Sequence, residues 1–419
     1  MKYIGFIVGC SLASSVFAFD ISLAGRLEAL QTDNALKSSV NEVDEVQTRI
    51  GADLAVSHEA SDVSFNLDYE ANRSRYSEDS QEDETNLEGR SSLEAKLLNK
   101  TLITRLSHSR VQVLKEPNDI DLQINRDDRD VSTASLNWVV GSRVNSLIIY
   151  GQLNDIKYDE LFVRDSKRVE GGITWRRRIS KVSSFSLLSS YRDVTFESFD
   201  NADYEYYSAS IRYSANLARL NYSLTVGGNE VRRGDAEESG GLFNLRAEYE
   251  LPATFMSLYI GRSLTDSSFG DGNQEFLSSE SSSVSSQSPD IMEYSSVEFL
   301  LRREMLCGTC SVSLTAHMQR EDHENSLEDR EILGGRLSFS YSPSRGSQIR
   351  LSRSYTDNEF DELSGKDAYK LEKTELSWSR KFGKSLSFRL FVDEVRRDEE
   401  GDKFYDGLST GISLSYQLL

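Results

Sequence analysis

The chain has 419 residues, 28% of them charged, and a net charge of −20 at pH 7, with a mean hydropathy of −0.49. Beyond the N-terminus there is no apolar run of about 18 residues, which excludes a helical membrane protein. A membrane barrel passes this test unseen, because only every second residue of each strand faces lipid.

The first 18 residues read as a signal peptide. Lys2 is a short basic region, Tyr3 to Val8 begins an apolar one, and Val16-Phe17-Ala18 offers small residues for cleavage before Phe19. Ile7-Val8-Gly9-Cys10 is the rival, a lipoprotein box. Either reading exports the chain, in a Gram-negative-type cell.

The mature chain, 19–419, is built on one unit, seen clearly from Ser132 to Gln152. Ala134, Leu136, Trp138 and Val140 alternate with Thr133, Ser135 and Asn137. After Gly141–Asn145, Leu147, Ile149 and Gly151 alternate with Ser146, Ile148 and Tyr150. Period two places successive side chains on opposite faces of a strand, so this is a hairpin. Similar runs lie near 20–30, 46–57, 62–72, 86–97, 101–113, 131–140, 146–153, 168–178, 183–193, 204–214, 218–228, 240–250, 254–264, 294–304, 310–319, 332–341, 347–356, 370–380, 385–395 and 407–419. That predicts a single all-β, antiparallel up-and-down barrel of about 20 strands (18–20). Pro117, Pro252, Pro289 and Pro343 are all expected in the breaks, since proline cannot donate to a ladder.

The breaks alternate in length. Short ones include Ser57–Ser61, Leu98–Lys100, Gly141–Asn145, Cys307–Thr309 and Ser342–Gly346; long ones fall at 31–45, 73–85, 114–130, 154–167, 194–203, 229–239, 265–293, 320–331, 357–369 and 396–406. Short periplasmic turns and long extracellular loops give this rhythm. The long segments collect acid: Glu78, Asp79, Glu82, Asp83 and Glu84; Asp119, Asp121, Asp127, Asp128 and Asp130; Asp322, Glu324, Glu328, Asp329 and Glu331; Asp398, Glu399, Glu400 and Asp402. The segment 265–293 is Ser-rich from Ser278 to Ser288. The acidic loops read either as a solvated rim or as binders of the cations that bridge lipopolysaccharide. No loop has the ligand spacing of a dedicated calcium site.

The alternation also sorts the strand residues by face. Leu136, Trp138, Trp175, Tyr222, Leu224, Phe243, Leu245, Phe339, Leu376, Trp378, Phe388 and Leu390 are expected outward, toward lipid. Arg105, Arg176, Arg178, Arg246, Arg336, Arg350, Arg389, Asp68, Glu70 and Glu248 are expected inward as a lumen charge ladder, with Asp53, Glu94, Glu375 and Asp393. A charge turned to lipid costs roughly 2–4 kcal/mol at mid-membrane, which enforces the sorting. Whether these groups pair with one another or guide an anionic solute stays open. The last run, Leu408, Thr410, Ile412, Leu414, Tyr416 and Leu418, is expected to pair with 20–30 and close the barrel.

Cys307-Gly308-Thr309-Cys310 reads as a local disulfide across a turn, in a compartment that permits one; a metal site would need two more ligands. Ser107-His108-Ser109 is the one stretch that invites a hydrolase reading, but no GxSxG elbow accompanies it. No catalytic residue, metal, cofactor or nucleic-acid partner is expected.

Gly171-Gly172-Ile173-Thr174-Trp175-Arg176-Arg177, Ser183-Ser184-Phe185-Ser186-Leu187 and the later Thr374-Glu375-Leu376-Ser377-Trp378-Ser379-Arg380 resemble outer-membrane β-barrel porin-type proteins, some of which accompany exopolysaccharide export. The resemblance implies a non-enzymatic channel for hydrophilic solutes or polysaccharide. Its partners would be outer-membrane lipid and lipopolysaccharide, export machinery and the barrel-assembly machinery. The alternative is a structural barrel whose loops bind surface matrix or an assembly partner. The chain departs from trimeric porins in having no identifiable constriction loop and in ending on Leu419 rather than an aromatic residue.

Overall fold

The computed structural model describes residues 19–116, 119–198, 202–266, 290–324, 329–361, 364–399 and 404–419. Twenty strands follow one another: β1 (Asp20–Thr32), β2 (Glu45–Glu59), β3 (Val63–Tyr76), β4 (Glu84–Leu97), β5 (Leu102–Leu114), β6 (Arg126–Gly141), β7 (Asn145–Tyr158), β8 (Ser166–Arg178), β9 (Ser183–Phe196) and β10 (Tyr204–Asn216), then β11 (Leu220–Arg233), β12 (Ala236–Leu251), β13 (Thr254–Asp266), β14 (Ile291–Arg303), β15 (Cys310–His323), β16 (Arg330–Ser344), β17 (Ser347–Phe360), β18 (Tyr369–Phe382), β19 (Leu386–Glu399) and β20 (Phe404–Gln417). Each pairs antiparallel with its neighbours in sequence, and β1 also pairs with β20, so the sheet has no free edge. The seam runs from Ala24 opposite Gln417 to Thr32 opposite Ser409. β1 begins and β20 ends on the side where the connections are short.

The face that points inward is fixed by contacts that skip strands. Arg168 on β8 and Tyr204 on β10 both reach Asp266 on β13. Only the barrel interior connects strands so far apart. Following the registers from Arg168, the twelve residues expected outward all fall on the opposite, outer face. Leu136, Trp138, Leu224, Phe339, Leu376 and Leu390 are exposed there as part of an apolar belt. Near the short-turn end, Trp175 meets Phe185 and Trp378 meets Phe388 edge to face, as in an interfacial aromatic girdle.

The strands are longer than the alternating runs, 13 to 16 residues, against about 9–11 for a tilted span. They continue past the apolar belt into the acidic segments. Glu84, Asp127, Asp128, Asp130, Asp322, Glu331, Asp398 and Glu399 are therefore strand residues rather than loop residues. The long connection expected at 229–239 is absent: β11 and β12 pair up to Arg233 opposite Ala236. Gly234, at φ 58°, opens this two-residue turn in the left-handed region. Pro343 lies inside β16 rather than in a break, but within a register shift between Tyr341 and Ser344 where no ladder donor is required. Pro252 is in the β12–β13 turn as expected. The signal peptide, Cys10, Pro117, Pro289, Glu328, Glu400, Asp402 and the Ser278–Ser288 run lie outside the described residues.

Candidate functional site

The ten residues of the expected charge ladder all lie on the inner face, but the structure divides them. Arg105 pairs with Glu94 at 2.5 Å, Arg246 with Glu248 at 2.9 Å and Arg389 with Glu375 at 2.5 Å. Glu70 joins Asp53 on Arg26. These groups neutralise one another across or along strands, and their attraction in a wet lumen is small. Arg176 donates to the Ser184 hydroxyl at 3.4 Å and makes no ion pair among the described residues. Arg178, Arg350 and Asp68 make no ion pair among the described residues. Arg105, Arg246 and Arg389 are thus each balanced by a neighbouring carboxylate.

Several inward cations were not singled out from sequence, Arg26 and Arg90 among them. Arg26 is the centre of the Asp53–Glu70 cluster. Arg90 stands opposite Asp68 on β3 and Ser109 on β5, with no ion pair or side-chain hydrogen bond among the described residues. The alternation of 86–97 contains the signal, since Arg90 shares parity with Glu88, Ser92 and Glu94.

The interior differs at its two ends. Toward the short turns the inner arginines are exposed: Arg105, Arg176, Arg178, Arg246, Arg350 and Arg389. Toward the long connections the inner side chains are packed. Val113, Val131, Ile156 and Tyr158 form one apolar cluster. Val194, Phe196, Tyr204, Tyr206, Val231, Leu264 and Ile291 form the main part of another. Beside the second, Arg168 holds Asp266 with both guanidinium nitrogens, at 3.0 and 3.1 Å, and Tyr204 donates to the same carboxylate.

The described residues of the β5–β6 connection contact the inner face of β19 and the β1–β2 connection. Arg397 on β19 donates to the Asp119 carbonyl at 3.0 Å, and Lys37 from the β1–β2 connection donates to the Asp121 carbonyl at 2.6 Å. Gln123 N–H donates to Gln81 at 2.9 Å, and Arg126 grips the Asp121 carboxylate at 2.7 Å. Burial pushes the Lys37 ammonium below its usual pKa, with Asp121 opposing. Burial raises the Asp121 carboxyl, but Arg126 and Lys37 outweigh it and hold the group below the usual aspartate range.

The hydrolase reading fails on geometry. His108 is on the outer face, where Nδ1 meets the Tyr69 hydroxyl at 2.5 Å and Nε2 lies 3.3 Å from Asp130. Ser107 and Ser109, its neighbours in an extended strand, point inward, on the other side of the sheet. Cys307 and Cys310 are joined by a disulfide at the β14–β15 turn, with Cα atoms 5.1 Å apart.

No protein-family model and no curated protein matches the chain. In three dimensions it is similar to the FrpB iron transporter from Neisseria meningitidis (F5-1 variant), with a TM-score of 0.50 and 10% identity over 95% of this chain and 83% of that one. OccK2 (OpdF) from Pseudomonas aeruginosa is also matched, with a TM-score of 0.41 and 11% identity over 96% of this chain and 98% of that one. The fold is the closed antiparallel barrel of outer-membrane proteins.

Proposed function

We propose that the protein is a non-enzymatic, porin-like channel of the outer membrane that passes small hydrophilic solutes. The observation that carries this reading is the contrast between the two faces of one closed sheet. Outside is an apolar belt with an aromatic girdle, fit only for lipid. Inside are exposed arginines paired with part-buried carboxylates, groups suited to a wet lumen. Twenty strands enclose more space than side chains alone fill. The contacts of Asp119 with Arg397 and of Asp121 with Lys37 support a small solute over a polysaccharide chain, because a threaded polymer needs a clear bore. The test is conductance in planar bilayers. Purified, refolded protein should insert with discrete current steps; folded protein that never conducts would overturn the proposal.

A further inference from the structure

The inner wall of β2–β6 holds a recess of about 600 Å³, within the roughly 300–1,000 Å³ range of small-ligand pockets. Its origin is legible in two successive rungs of the sheet. In the lower rung the registers align Ser57, Asn66, Ser92, Ser107 and Thr133 across five adjacent strands. None is large, so the wall steps back where long charged side chains fill other rungs. In the rung above, Asp68, Arg90 and Ser109 stand side by side.

These groups are unspent. Thr133 donates to Asn154 at 2.9 Å. The side chains of Ser57, Asn66, Ser92, Ser107, Ser109, Asp68 and Arg90 make no hydrogen bond or ion pair among the described residues. The charges in the rungs that bracket them are paired. Below, Arg105 pairs with Glu94; above, Arg26 holds Asp53 and Glu70. Val131 belongs both to the recess and to the apolar cluster with Val113, Ile156 and Tyr158, so the recess has one apolar side.

We infer that this recess is a binding subsite for a neutral polyhydroxy solute, of mono- to disaccharide size. It holds one cation and one anion, so an ionic ligand gains no net attraction. A sugar uses both: the carboxylate accepts from hydroxyl groups, and the guanidinium and serine hydroxyls donate to hydroxyl and ring oxygens. The inference rests on the channel reading for its role as a way-station in transport. The binding itself does not.

The experiment separates the two. Refolded full-length barrel in a planar bilayer is titrated with glucose and with maltose. Saturable block of the current is expected. Ser92→Leu combined with Ser107→Leu, which fills the recess, should raise the half-blocking concentration at least tenfold, and Arg90→Gln with Asp68→Asn should do the same by removing the polar partners. Heat-modifiable migration on a gel confirms that each variant is folded. Current indifferent to sugar, or blocked equally in the filled variant, overturns the subsite. So does block by gluconate that exceeds block by glucose and depends on Arg90 alone, because that describes an anion site. A barrel that does not conduct defeats only the channel reading; the recess is then judged by calorimetric titration of the detergent-solubilised protein with maltose. Saturable heat that the filled variant loses supports it, and no heat from the parent protein overturns it.

Discussion

Position by position, the wall depends on which glycines stand against something. Gly89 on β4 is opposite Tyr69 on β3, at φ 156°. A Cβ there would lie 2.3 Å from the Asp68 carbonyl oxygen and 2.6 Å from the Tyr69 ring. The first contact is with backbone, so no side-chain rotation relieves it. At Gly241, in contrast, an added Cβ would meet nothing within 4 Å. Gly89→Ala should therefore destabilise by about 1–3 kcal/mol, the usual cost of overpacking, while Gly241→Ala leaves stability nearly unchanged. The temperature at which the compact species unfolds on a gel measures both. Equal midpoints for the two variants would remove the claim that β3 and β4 are pinned at this point. The consequence reaches the recess, since Asp68 and Arg90 are the chain neighbours of Tyr69 and Gly89.

Among the elements, the β5–β6 connection is held at Asp121 by charged groups, Arg126 and Lys37. Asp121 is held below the usual aspartate range by Arg126 and Lys37 against burial. A depressed carboxyl contributes stability that is fully present above its undocked pKa, about 3.9, and is lost as pH falls through the docked value. Lys37 acts at the other extreme: its pKa is lowered by burial, so its penalty persists until pH rises through that lowered value. Between these limits docking should be insensitive to pH. Asp121→Asn removes a pair that solvent partly screens, worth about 1 kcal/mol, and should imitate acid at pH 7. Trypsin should then cleave after Lys115 about fivefold faster than in the parent barrel. Unchanged cleavage would show that the connection is held by other contacts.

The same element marks where the sequence stops being legible. Alternation identified every strand, because one wet and one lipid-facing side leave a period-two record. It failed at Asp127, Asp128 and Asp130, where β6 rises beyond the belt and both of its faces are polar. With no contrast between faces there is no period, and the strand reads as loop. The turn at Gly234 was hidden in the same way by the polar ends of β11 and β12. Where the belt gives the two faces contrast, period two also implies the inward side of Arg90, a residue not singled out from sequence. What no local pattern contains is Lys37 meeting Asp121 or Arg168 meeting Asp266, contacts made only once the barrel closes.

At the scale of the whole molecule, closure decides whether the fold exists. The seam joins the first strand to the last, and it continues beyond the ladder: Leu418 N–H donates to the Leu23 carbonyl at 2.7 Å, and Gln417 reaches Ser22 at 2.6 Å. Removing residues 404–419 would leave β19 and β1 as two open edges. Each unpaired backbone group in hydrocarbon costs several kcal/mol, and the seam holds nine register pairs, from Ala24 with Gln417 to Thr32 with Ser409. Local repacking cannot recover that, because β1 and β19 would have to meet in place of two separate ladders and in a smaller ring. The chain ending at residue 403 should thus yield no compact, heat-modifiable species after refolding into detergent or lipid. Deleting Leu419 alone is a different matter. Its N–H lies 3.4 Å from the Leu23 carbonyl that Leu418 already occupies, so that variant should refold to the same compact species with an unchanged unfolding midpoint. A compact species from the 403-residue chain would mean that nineteen strands can close without the seam.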